Sequence, residues 1–319
     1  MTPEAIRSRA SDDEALPALP FDSWKDTFAT LHMWMQIVGK VRLKLSPLVN
    51  HWWNVPFYMT ARGMTTSAMP YKQRTIEVQF DFIDHKLTIT TSEARVVTMP
   101  LAAESVADFY KKFMSALAEL GVIVNIRTTP CEVPNPIPFE LDRVHASYDP
   151  EAVHKFWRIV VWVDQVFKEF RGGFQGKDSP VHFFWGSFDL AVTRFSGRPA
   201  PERPGADSIT REAYSHEVSS AGFWPGGGDI QGPAFYSYAA PEPAGFAGQR
   251  VRPEKAFYHP QMKEFLLMYD DVRGSASPKA ALMEFLQSTY DAAAELGKWD
   301  RKSLERPHPD SSATSPANR

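Results

Sequence analysis

Apolar residues recur at helical spacing in four places along the chain. In 27–45, Phe28, Leu31, Met35 and Val38 share one face, and the pattern stops before Pro47. In 105–120, Val106, Phe109, Phe113 and Leu117 do the same, with Gly121 placed to cap the C-terminus. Segments 150–171 and 278–296 read as two further helices. Between them lie runs rich in Val, Ile, Thr and Phe that read as strands: 53–60, 75–83, 86–91 and 95–100, then near 181–195, 213–220, 233–239 and 263–269. Only Asp84-His85 separates 75–83 from 86–91, a hairpin signal. Strands joined by short turns pair antiparallel, and helices must cover one face. The pattern predicts an α+β fold.

The order helix, strands, helix occurs twice. Trp34, Val38 and Lys40 match Trp162, Val166 and Lys168 at an offset of 128, and His51-Trp-Trp matches His182-Phe-Phe at 131. Asp108-Phe109 and Ala118-Glu-Leu-Gly121 match Glu284-Phe285 and Ala294-Glu-Leu-Gly297 at 176. Three matches in preserved order predict two similar helix–antiparallel sheet–helix units in pseudo-twofold arrangement, at 16–128 and 150–300. The Pro-rich stretch 129–149 links them, and 1–15 and 301–319 read as disordered tails. The jump in offset places an insertion near 196–260. Its aromatics, including Phe223 and Trp224, are expected to fold inward over a cleft between the units, because soluble proteins rarely leave such patches exposed.

Composition narrows the function. Thirty-five Lys plus Arg against 38 Asp plus Glu give a net charge of −3, so the chain lacks the basic field of a nucleic-acid binder. Cys131 is the single cysteine, which excludes an internal disulfide framework and a cysteine metal cluster. The N-terminus has no apolar signal region, and no apolar run reaches the roughly 18 residues a membrane span needs. The cytoplasm is the expected location, with a small-molecule ligand as the expected partner and no membrane.

The stretches Asn50-His-Trp-Trp53, Phe80-Asp-Phe-Ile-Asp-His85 and Tyr214-Ser-His-Glu-Val-Ser-Ser220, with Leu31–Arg42 and Ser179–Leu190, resemble a bacterial family known only as a domain of unknown function. The resemblance covers about 16–300. It implies no reaction, cofactor or catalytic residue.

Candidate chemistry therefore comes from the residues themselves. His51 and His182 hold matched places in the two repeats, and His216 with Glu217 forms a third polar cluster. An imidazole titrates near neutral pH, so His51, His182 and His216, with Glu217, are the candidate acid/base groups. Neighbours on a strand face opposite ways, so His216 and Glu217 share a site only across a bulge. The matched histidines with Glu217 or Asp189 make up the donor set of a two-His, one-carboxylate metal centre, but no motif spacing requires it, and the sequence assigns neither metal nor cofactor. Arg62 and Arg194, with Trp53, Trp185 and Trp224, are the candidate binding residues for an anionic or ring-bearing substrate. On the first helix, His32, Gln36 and Lys40 form a polar stripe; on the helix at 150–171, Asp164 is expected to pair with Lys168. Two readings remain. One is a small-molecule enzyme whose cleft brings the three histidines together. The other is a non-catalytic binding or interaction module using the same aromatic pocket.

Overall fold

The computed structural model describes residues 16–228 and 230–307. The expected tail at 1–15 lies outside the described residues, as do 308–319. Helix α1, Lys25–Leu45, is buried without interruption from Thr30 to Arg42. It packs against β3 (Met69–Tyr71) and two further helices, α2 (Val106–Glu119) and α3 (Pro150–Gly172). A helix covered on all sides has no solvent face for its polar residues, so Gln36 and Lys40 lie inside the protein. Local chemistry sets the helix ends. Ser105 accepts the Asp108 backbone N–H at 3.1 Å to start α2, and Gly121 takes φ +71° just past its end. Asp149 accepts from the N–H groups of Glu151 and Ala152 at the start of α3, where Pro150 needs no donor.

The first sheet runs β1 (Tyr58–Met59), β2 (Gly63–Thr65), β4 (Arg74–Asp81), β5 (Lys86–Thr91), β6 (Val96–Pro100), with β3 pairing β4. The β4–β5 hairpin turns where Asp84-His85 predicted it, with Asp81 opposite Lys86. The strand expected over 53–60 is shorter. Residues Asn50–Trp52 form a 3-10 turn in which His51 and Trp52 have φ of 57° and 60°, a left-handed path no strand can follow.

The second sheet is also six-stranded and antiparallel, in the order β11-β12-β10-β9-β8-β7. Its strands are β7 (His182–Phe184), β8 (Asp189–Pro199), β9 (His216–Trp224), β10 (Ala234–Ala240), β11 (Phe257–His259) and β12 (Glu264–Met268). Residues 196–260, expected as an insertion over the cleft, supply β9 and β10 in the middle of this sheet. They also supply α4, Ser208–Ala213. The remaining helices are α5 (Tyr269–Arg273), α6 (Pro278–Leu296) and α7 (Arg301–Leu304). Within the expected tail at 301–319, residues 301–305 dock against the body. Arg301 pairs with Asp291, Glu295 and Glu305, and Tyr290 donates to Glu305 at 2.9 Å.

The fold is α+β with two antiparallel sheets, one in each half of the chain. They meet where Phe57 and Phe183 exchange backbone hydrogen bonds of 2.8 and 3.0 Å. Phe57, not His51, therefore stands opposite the β7 strand. Strand alternation divides the second sheet's chemistry. Leu190, Val192, Ala221, Phe223, Phe235 and Leu267 point into the main core. The intervening Ala191, Thr193, Ser220, Tyr236 and Tyr238 point the other way and line a cavity. No helix among the described residues is long and apolar enough to cross a membrane.

Candidate functional site

A cavity of about 1000 Å³ lies over that outer face, closed by α1, the turn at 50–53, the segment 125–132 and α4. At its floor Asp189 begins β8. Its carboxylate accepts hydrogen bonds from the Ser187 and Tyr236 hydroxyls. Gly222 makes the second bond possible: a Cβ there would come within 2.2 Å of the Tyr236 ring, which leans across β9 to reach β8. Burial raises the Asp189 carboxyl above its usual range, against the opposing effect of those two bonds. Burial also raises the Tyr236 hydroxyl, and the Asp189 charge raises it further. Tyr238 stacks beside Tyr236 and bonds the Tyr214 hydroxyl at 2.9 Å, while Thr193 and Ser220 bond across β8 and β9 at 2.8 Å. One step further across the sheet, burial and the Asp189 charge push Glu264 up to about 7.

Helix α1 holds both rims. His32 donates from Nε2 to the Gly186 carbonyl at 2.8 Å. Gln36 grips Cys131 from both sides, donating to its carbonyl at 2.8 Å and accepting its N–H at 2.9 Å. That clamp presents Glu132 against Gly186, where a Cβ would stand 2.5 Å from its carboxylate. Glu132 is open to the cavity mouth. Partial removal from water raises its carboxyl, and Asp189 adds to the shift. Trp185 lies flat on α1, its ring 2.2 Å from where a Cβ of Gly39 would be, and donates from Nε1 to Val55 at 2.8 Å. Lys40 also lines the cavity. It is 9% exposed, and burial lowers its ammonium below the usual range.

The structure brings some sequence candidates together and separates others. Trp53 and Trp185 line the cavity, as does His51. His51 donates from Nδ1 to the Glu212 carbonyl at 3.1 Å, so its Nε2 accepts from the Lys177 ammonium at 2.6 Å. Burial, then Lys177, lowers it, and its lone pair is occupied. The His216 ring stands 5.6 Å from that of His51 and bonds Ser215, outside the lining. His182 sits on the far side of Trp53, whose ring is 5.3 Å from His51 and 5.8 Å from His182. It contacts Tyr58 at 3.3 Å, its Nδ1 has no partner, and burial lowers it to about 3. The three imidazoles thus do not converge on one cavity. The matched offset of 131 joined a residue in a turn to one in a strand.

The other candidates lie elsewhere. Glu217 faces away, as strand alternation requires, and binds Ser196 and Arg198. Arg62 is held by Asp81 at 2.6 Å and Asp84 at 2.8 Å at the edge of the first sheet. Arg194 points to the core face, donating to the Phe170 carbonyl with the rings of Phe170 and Tyr290 at 3.5 and 4.3 Å. Trp224 packs against Ile230, Ala234 and Leu266, and Phe223 is buried in the main core; neither lines the cavity. Asp164 does pair with Lys168, at 2.6 Å. Among the described residues, no group of three His, Cys, Asp or Glu side chains is placed to hold a metal ion. The groups that reasoning from motifs passed over are Tyr236, Tyr238 and Glu132. The sequence signal for the first two was weak: Tyr236 and Tyr238 stand two apart on β10, but Ala191 and Val218 break the polar face, and Arg194, Ser219 and Ser237 put polar groups on the other one.

Residues 16–306 match the model of a family of unknown function (DUF5996), and the chain belongs to that family. No curated protein and no solved structure matches the chain.

Proposed function

We propose that this cleft is the active site of a small-molecule enzyme that works by acid–base chemistry, with Asp189 as the proton-carrying group. The observation that carries the reading is the Asp189–Tyr236 pair. A carboxyl buried at the floor of a large cavity, raised above its ordinary range by its surroundings and bonded to a tyrosine, is placed to exchange a proton with a bound molecule. Tyr236 holds the Asp189 carboxyl in one rotamer through its hydroxyl hydrogen bond, and Asp189 exchanges its proton with the bound substrate. Trp53 and Trp185 supply flat apolar walls for a ring, and Glu132 at the rim is the second carboxyl of the site. The histidines are supports in this reading, because the His51 lone pair is already taken by Lys177. The two units are read as copies of one ancestral unit in a bacterial, cytoplasmic protein; the twofold repetition of helix, antiparallel sheet and helix supports the duplication.

A non-catalytic binding module is the second reading, and among the described residues the absence of a free imidazole base in the lining favours it. Both readings require occupancy of the cleft. In native mass spectrometry after incubation with a small-molecule extract of bacterial cells, the protein is expected to retain a ligand. The variant Ala213→Trp, which fills the cleft from the end of α4, is expected to lower that occupancy at least tenfold, by order of magnitude, while melting normally. Equal occupancy in both proteins, or none in either, contradicts the proposal.

A further inference from the structure

We infer that the molecule bound in the cleft carries an anionic oxygen group, a carboxylate or a phosphate, seated on Lys40, Arg127 and Lys44, with its uncharged part reaching toward Asp189. This deepens the reading of the cleft above and rests on it. The motivating observation is a largely buried lysine whose ammonium opens on the cavity without a partner. Lys40 is 9% exposed, yet among the described residues its ammonium makes no hydrogen bond and no ion pair; it stands 6.0 Å from the centre of the Phe139 ring. An ammonium held in a cavity and partly removed from water is stabilised when an opposite charge meets it.

Elsewhere the protein supplies such partners. Buried Asp81 meets Arg62 and buried Asp164 meets Lys168. Carboxylates outnumber cations, 38 to 35, so a partner for Lys40 was available in the composition. Instead Lys44 and Arg127 line the same wall, also without an ion pair among the described residues. Arg127 adds its charge to the burial that depresses Lys40, and the Cys131 thiol beside it is raised and so stays neutral. Glu132 lines the cavity as well but lies against Gly186 and makes no ion pair with these cations. Three like charges gathered on one wall of a cavity, with the deepest of them unpaired, form a seat for an oxyanion. An arginine fork and two ammonium groups suit both a carboxylate and a phosphate.

The test is a calorimetric titration of the full chain with benzoate, phenyl phosphate, inorganic phosphate and the neutral control benzyl alcohol. Benzoate or phenyl phosphate is expected to bind at least tenfold tighter than benzyl alcohol, by order of magnitude. Preference for benzoate identifies the carboxylate class, and preference for phenyl phosphate with inorganic phosphate as competitor identifies the phosphate-ester class. Lys40→Met removes the charge while keeping the volume, and is expected to abolish the preference without weakening benzyl alcohol. Arg127→Gln, at an exposed position that the fold does not depend on, is expected to reduce the preference by a smaller factor. Equal affinity for charged and neutral probes overturns the inference, as does a preference that survives in both variants. If anions bind with these dependences but nothing is turned over, the inference stands and the enzymatic reading falls. If only neutral ligands bind and Ala213→Trp blocks them, the cleft stands and the anion seat falls.

Discussion

Relative to the wild-type protein, a variant in which neither His32 nor His182 titrates is expected to gain about 4 kcal/mol of stability on going from pH 7 to pH 5. Burial lowers His32 from 6.5 to about 4 and His182 to about 3, with Arg42 and Arg171 adding to the second shift and His145 to the first. A histidine whose folded pKa is depressed contributes stability that is complete above its unfolded pKa and is lost as pH falls below it. At pH 5 the unfolded imidazole is about 1.5 units below its pKa, so each group forfeits about 2 kcal/mol. The raised carboxyl of Glu264 works the other way, gaining stability on acidification through its value of about 7. It is present in both proteins and cancels in the comparison. His182→Phe keeps the ring among Trp53, Tyr58 and Phe184, and His32→Gln keeps a donor for Gly186. Urea midpoints of both proteins at pH 7 and pH 5 measure the difference. A variant that tracks wild type at both pH values shows that the buried imidazoles are not held neutral.

Phe183→Ala is expected to cost about 4 kcal/mol, in the upper range for deleting a buried ring. Phe183 is fully buried where the two sheets meet, with the Phe188 and Phe156 rings at 5.1 and 6.3 Å, and its backbone forms the bridge to Phe57. Truncation leaves a void at the junction, which rigid strands on either side cannot close. Phe257→Ala, at a position 42% exposed, is expected to change stability by less than about 1 kcal/mol and serves as the control. Comparable losses in the two variants, read from denaturant midpoints, contradict the placement of the junction.

Elements with strong local chemistry are legible in the sequence. The Gly121 cap, the turn at Asp84-His85 and the Asp164–Lys168 pair each depend on neighbours within a few positions, which sequence displays directly. The site was less legible, for physical reasons. An amphipathic pattern identifies one apolar face, but α1 is enclosed on every side, so its polar stripe became rim and wall rather than surface. Arg194 looked like a ligand for anions, yet strand alternation turned it toward Phe170 and Tyr290, where ring faces and a carbonyl receive it. His51 and His182 shared letters with their neighbours but not backbone conformation, because the left-handed turn at 51–52 has no counterpart in β7. Asp189 drew notice only as a possible metal ligand. Its importance comes from Tyr236, a residue 47 positions away that reaches it across a glycine on the intervening strand.

The central claim, that Asp189 carries protons for a reaction in the cleft, is tested most directly by comparing wild type with Asp189→Asn on one small-molecule extract of bacterial cells. Mass spectrometry before and after incubation reports which species are consumed and formed. Wild type is expected to convert at least one species, and Asp189→Asn, which keeps the size and the Tyr236 hydroxyl as a neighbour, to do so about 100-fold or more slowly while still binding it. Conversion at equal rates by the two proteins, or no conversion by wild type of a molecule that it demonstrably binds, contradicts the account.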